Sequence, residues 1–155
     1  MDIYNEDLLK FLKSLHDFQV KYMLVGGFAT GLHGYVRNTG DIDFWIEGSF
    51  ENRKKLVEAL DFLEYGRFEE LLTAPLIAGF CEIMLDNGMY ADLMDRILCF
   101  EKEDFEECYK IAPIKDFEGI SIRYLHYNHL IRSKENSHRL KDRLDVEELR
   151  KINKA

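Results

Sequence analysis

Proline and cysteine are scarce in this chain: it has two prolines and three cysteines in 155 residues. With ten glycines and no run rich in Pro, Gly or Ser, collagen-like, low-complexity and linker-joined organisations are excluded. No internal repeat is present, so residues 1–155 are read as a single domain. Cys81, Cys99 and Cys108 are odd in number and widely spaced, and no C-x-x-C pair exists for zinc. They are read as buried thiols in a reducing cytoplasm. No stretch approaches the ~20 apolar residues of a membrane-spanning helix. The acidic start Met-Asp-Ile-Tyr-Asn-Glu-Asp lacks the basic opening of a signal peptide. A cytoplasmic protein without a membrane partner is therefore expected. Positive charge is in the minority, with 21 Lys+Arg against 29 Asp+Glu and a net charge of −8. That balance opposes broad nucleic-acid binding, which runs on phosphate neutralisation, but leaves room for a local basic site.

Hydrophobic residues make up 46% of the chain, enough for a sizeable core at this length. Helical spacing of Leu8, Leu9, Phe11, Leu12, Leu15 and Phe18 predicts a helix over 7–18. Tyr22–Val25 reads as a buried strand ending at Gly26-Gly27, and 28–33 as a short helix. Asp41–Glu47 alternates, with Ile42, Phe44 and Ile46 on one face and Asp41, Asp43 and Trp45 on the other. Residues 52–63 form an amphipathic helix. Cys81–Leu85 and Met89–Ile97 flank Asp86-Asn87-Gly88, a strong hairpin signal. A short helix is expected over 104–109, a second hairpin around Glu118-Gly119, and a helical C-terminal segment over about 126–152, in two pieces. The fold class is α+β, a mixed or antiparallel sheet flanked by helices.

Three features carry chemistry. Gly26-Gly27 sits between a strand and a helix, where backbone can approach a phosphate or simply turn. Asp41 and Asp43 project to one side of a strand, where like charges repel unless a cation lies between them; a solvated strand face is the alternative. Asp92 would add a third carboxylate from a neighbouring strand, completing a site for two metal ions. Parity separates it from Asp95, which shares a face with Ala91, Leu93 and Ile97. Arg37 either meets a phosphate or anchors its loop. Lys134, Arg139 and Lys141 either supply charge to an anion or form a solvated face. Asp142 and Asp145 lie one turn apart and are placed to pair with Arg37 or Arg139. Trp45 and Tyr90 either stack a base or are covered on the sheet. His33 is a weak candidate for substrate contact, and His126 and His129 are read as packing or surface residues.

The run Leu24-Val-Gly-Gly-Phe-Ala-Thr-Gly-Leu-His-Gly-Tyr-Val-Arg-Asn-Thr-Gly-Asp-Ile-Asp-Phe44 resembles the signature of the DNA polymerase beta-like nucleotidyltransferase superfamily. Its Arg37-x-Thr39-x-Asp41-x-Asp43 is typical of the small prokaryotic branch. Lys134 through Leu149, with Arg139-Leu-Lys141-Asp142-Arg-Leu-Asp145, resembles the terminal helix of the minimal and AbiEii-like nucleotidyltransferases. The resemblance implies that fold and an enzyme that transfers a nucleoside monophosphate from a nucleoside triphosphate (NTP) to a hydroxyl acceptor such as an antibiotic, a tRNA end or a protein. It implies Gly26 and Gly27 at the β,γ-phosphates, with Arg37, Thr39, Lys134, Arg139 and Lys141 around the nucleotide. It implies Mg²⁺, as two ions, on Asp41, Asp43 and Asp92. The alternatives are a toxin using the same chemistry, with an antitoxin partner, and a non-catalytic nucleotide-binding module. The small size favours a partner or a homodimer lending surface to the site.

Overall fold

The computed structural model describes residues 5–154. The first four residues, part of the segment read above for a signal, and Ala155 lie outside the described residues.

The chain begins with α1 (Glu6–Asp17), started by Asn5, whose side chain accepts the Asp7 and Leu8 amides. Leu8, Phe11, Leu12 and Leu15 make its buried stripe. A left-handed Gln19 turns the chain into β1 (Tyr22–Val25), which runs directly into α2 (Gly26–Leu32). Then follow β2 (Asp41–Ile46) and α3 (Phe50–Phe62), the latter capped by Ser49. A long connection leads to the hairpin β3 (Glu82–Met84) and β4 (Tyr90–Met94). Its turn closes with the Leu85 amide on the Met89 carbonyl, and Gly88 takes a φ of 87°. Next come α4 (Phe105–Ile111), the hairpin β5 (Ile114–Phe117) and β6 (Ile120–Arg123), then α5 (Tyr127–Glu135) and α6 (Leu140–Lys154).

The main sheet has the order β1-β2-β4-β3. β1 is antiparallel to β2, β2 parallel to β4, and β3 antiparallel to β4. This is the mixed sheet expected from the pattern. The β5–β6 hairpin adjoins β1, with the Leu125 amide on the Leu24 carbonyl. One face of the sheet buries Leu24, Ile42, Phe44, Ala91 and Leu93 against α1 and α3. The other buries Met23, Val25, Trp45 and Met94 against residues of α4, α5 and α6. Each large side chain so buried contributes about 1.5–3 kcal/mol.

Two sequence readings are corrected here. Of the cysteines only Cys108 is buried; Cys81 is half-buried and Cys99 is exposed on a turn. Trp45 is no stacking platform: it is fully buried, and its Nε1 donates to the Asp95 carbonyl at 2.9 Å.

Candidate active site

The second face of the sheet is covered only over the C-terminal ends of β2 and β4. Over their N-terminal ends it opens into a cleft of about 700 Å³. Because β2 and β4 are parallel and in register, Asp43 lies directly beside Asp92, and Asp41 beside Tyr90. Paired residues share a face, so the parity that singled out Asp92 also carries it into the cleft. Gly26, Gly27, Arg37, Thr39, Asp41, Asp43, Asp92, Lys134, Arg139 and Lys141 all line this cleft. Tyr90 and His33 do not; His33 Nε2 sits 2.7 Å from the Leu125 carbonyl, against Tyr124 and Tyr127. His126 caps α5 and His129 packs on Phe100, as read.

Close approach explains the two glycines. A Cβ on Gly26, whose φ is +66°, would collide with the Asp43 carboxylate. A Cβ on Gly27 would stand 2.6 Å from Thr39 Cγ2 and 3.2 Å from the Arg37 guanidinium nitrogens. The turn is thus pressed against the carboxylate strand and against the loop that feeds it.

The carboxylates are electrostatically frustrated. Burial pushes the Asp43 pKa up to about 7, and the charges of Asp92 and Asp41 add to the rise; Lys134 and Arg139 oppose it. Asp92 is raised to about 6, again mainly by burial, with Glu82 and Asp41 contributing. The Gly79 amide counters this by donating to both Asp92 oxygens, at 3.1 and 2.9 Å. A cation among these oxygens would relieve the repulsion. Among the described residues, however, no group of three or more His, Cys, Asp or Glu is already gathered to hold a metal ion. The joint set of Asp41, Asp43 and Asp92 therefore shares a cleft without forming a closed cage. That arrangement suits Mg²⁺, which takes one or two carboxylates plus substrate phosphates and waters.

The cationic side is more structured than its sequence spacing suggested. Arg37 donates Nε and Nη2 to Asp145, both at 2.7 Å. Of its two readings, loop anchor is the one the geometry matches. Lys134, read as either a charge for an anion or part of a solvated face, is nearly buried and held by Asp142 at 3.1 Å and Asp145 at 2.8 Å. Arg139 is 69% exposed and reaches Asp142 only at 3.9 Å, and Lys141 joins no ion pair among the described residues.

Sequence reasoning missed several lining residues. Glu82 stands opposite Asp92 across the hairpin; counting back from the Asn-Gly turn would have found it. Ile77, Ala78 and Gly79 come from the connection before β3, for which no periodic signal exists. Asp95 lies just past β4 and out of the cleft. It is buried, binds Arg53 at 3.2 Å and Arg96 at 2.7 Å, and accepts the Leu76 amide, clasping the base of that connection.

No family model and no curated protein matches the sequence. Solved structures do match in shape. A lincosamide antibiotic adenylyltransferase, LnuA, solved with lincomycin bound, aligns with a TM-score of 0.60 at 15% identity, over 98% of this chain and 99% of that one. The antibiotic-resistance factor ANT(2'')-Ia aligns at 0.55 and 18%, over 92% and 80%. A Thermotoga maritima protein assigned as a nucleotidyltransferase aligns at 0.56 and 20%, over 96% and 91%. These likenesses span nearly the whole chain, and the fold they share with it is the nucleotidyltransferase fold of the DNA polymerase beta-like kind.

Proposed function

We propose that this chain is an Mg²⁺-dependent nucleotidyltransferase that moves a nucleoside monophosphate from an NTP to a hydroxyl acceptor. The observation that carries the proposal is the in-register pairing of Asp43 with Asp92 beside Gly26-Gly27, at the floor of a cleft rimmed by Arg139 and Lys141. The donor chemistry fits the metal: the carboxylate oxygens are hard ligands whose mutual repulsion a divalent ion offsets. Asp41 and Asp43 would hold the nucleotide-bound ion, and Asp43 with Asp92 a second. Bound Mg²⁺ would supply charge neutralisation at the phosphates and acidify the acceptor hydroxyl.

The chain's own residues have separable tasks. Gly26 and Gly27 let backbone approach the β,γ-phosphates, with Thr39 beside them. Arg139 and Lys141 offset the triphosphate's charge. Asp92, held in place by the Gly79 amide, takes the proton of the acceptor hydroxyl as that oxygen attacks the α-phosphorus. Pyrophosphate leaves on the opposite side, and most of the rate gain comes from positioning and charge stabilisation.

The acceptor side favours a small neutral or cationic molecule over a polyanion such as a tRNA end. Ile77, Ala78, Ile97 and Leu98 give it an apolar wall, Glu82 and Asp92 make it negative, and Arg96, which also lines it, is paired with Asp95 and Glu101. The bound lincomycin of one structural neighbour and the adenylyl-tobramycin of another are small molecules of that kind.

The test is to incubate the protein with each α-labelled NTP, Mg²⁺ and a fractionated cell extract, and to identify the labelled product. Transfer that is lost in Asp92→Asn supports the reading. NTP affinity that is equal in Mg²⁺ and in EDTA would overturn the metal site.

A further inference from the structure

Asp145 is a carboxylate with no exposed side-chain surface, on a helix that otherwise buries Val146 and Leu149. Burial of a charge is costly unless it is paired and hydrogen-bonded, so its surroundings have to account for it. They do: both oxygens are taken by Arg37, in the two-pronged geometry that guanidinium makes with carboxylate, and Lys134 adds a third contact at 2.8 Å. Lys134 also reaches Asp142, which accepts the Ser137 hydroxyl at 2.7 Å. Two cations and two carboxylates thus offset one another, with Arg139 reaching the edge of the set at Asp142, 3.9 Å away. Arg37 and Lys134 sit at the cleft wall with their charge largely offset, although Lys134 still opposes the rise of the Asp43 pKa.

What the set does bring is connection. Arg37 is 108 residues before Asp145, on the loop between α2 and β2. Its guanidinium lies 3.2 Å from where a Gly27 Cβ would stand, so the group clamped by α6 is also the one that backs the glycine turn. Lys134 ties α5 to the same carboxylate.

We propose that Asp145 is a positioning residue for the nucleotide site: through Arg37 it holds the glycine turn and the loop into β2, and through Lys134 it holds α5, all against α6. This rests on the nucleotidyltransferase reading for its consequence in nucleotide binding, though not for the geometry itself.

The sign of one substitution separates positioning from simple electrostatics. Asp145→Asn removes a negative charge near an anion site, so charge alone would tighten MgNTP binding. Loss of positioning weakens it, by about tenfold or more, since small displacements at such sites are costly. Arg37→Lys keeps the charge and loses the two-pronged contact; it is expected to weaken binding in the same direction. The experiment titrates the full-length wild type and both variants with MgATP, MgGTP, MgCTP and MgUTP by calorimetry, and follows the Gly27 amide resonance by NMR without ligand. Weaker binding with a displaced Gly27 amide supports the proposal. A folded variant that binds as well as wild type, with an unmoved Gly27 amide, overturns it. Should Asp145→Asn not fold, Arg37→Lys decides by the same criteria. A folded wild type that binds none of the four nucleotides refutes the nucleotidyltransferase reading instead, and the Gly27 amide then decides the positioning role by itself.

Discussion

The two faces of the central sheet are built from the same strands and end differently. Toward α1 and α3, Leu24, Ile42, Phe44, Ala91 and Leu93 are all fully buried, and the aliphatic surface is continuous. Toward α5 and α6 the face is split. Trp45 and Met94 are sealed under helices, while Asp41, Asp43 and Asp92, two to four residues earlier on the same strands, floor an open cleft. The sealed face supplies stability, and the half-open face holds repelling charges that the rest of the fold must keep together. The cleft acids therefore all share one strand parity, while stability draws on both faces.

The largest expected effect is at Asp43. Asp43→Asn should reduce nucleotidyl transfer on the order of 10³-fold, measured with a labelled NTP. Its thermal midpoint without metal should stay level or rise, because a repelling charge is removed. A large drop in the midpoint would contradict the separation of the two faces.

Phe44 is the next residue along β2 and points the other way, with rings of Phe11 and Tyr22 each 5.3 Å from its own. Phe44→Ala should cost about 3–5 kcal/mol in denaturant unfolding. The fraction that remains folded should bind MgNTP as wild type does. Weakened binding in that fraction would show the faces to be coupled.

The pH dependence sharpens the contrast. Asp43 and Asp92 are raised to about 7 and about 6 in the folded protein, above the ordinary carboxylate value near 4. Between about pH 4 and pH 7 the folded state thus holds more protons at these groups than the unfolded chain does. Their contribution to stability is present at the acid end and is lost as pH rises through that window. In EDTA, the midpoint of wild type relative to an Asp43→Asn/Asp92→Asn double variant should fall across the window, and Mg²⁺ should flatten the trend. A difference independent of pH would mean that neither burial nor mutual repulsion raises these carboxylates.

The smallest effects belong to the cleft's solvent rim. Arg139→Ala and Lys141→Ala should each raise the KM for MgNTP a few-fold, less so at high salt, because exposed charges are screened. Lys134→Ala differs in kind. It leaves Asp142 and Asp145 with a missing partner, so its first cost should be to the melting temperature.

Local pattern made much of this site legible. Alternation in Asp41–Ile46 and Tyr90–Met94 told which side the acids take, while Glu82, opposite Asp92 across the hairpin, was legible from the Asn-Gly turn but passed over. Pattern was silent where partners are remote. Nothing near Asp95 announces Arg53, and nothing near Arg37 announces Asp145. Trp45 shares a face with the acids yet is buried, since parity tells the side of a sheet and not how far along it the covering helices reach.

By itself the amino-acid order indicated the main elements and the faces of the strands, because periodicity and turn preference act over a few residues, and its resemblance to a known signature grouped Gly26-Gly27, Asp41, Asp43 and Asp92 as one chemistry. Only the tertiary structure decided that β2 and β4 are parallel and in register, which is what sets Asp43 beside Asp92. It alone decided that Arg37 and Lys134 spend their charge on Asp145 while Arg139 and Lys141 keep the rim. The physical reason is that a charge can be neutralised by any group that folding brings within hydrogen-bond reach, and sequence distance carries no information about which group that is.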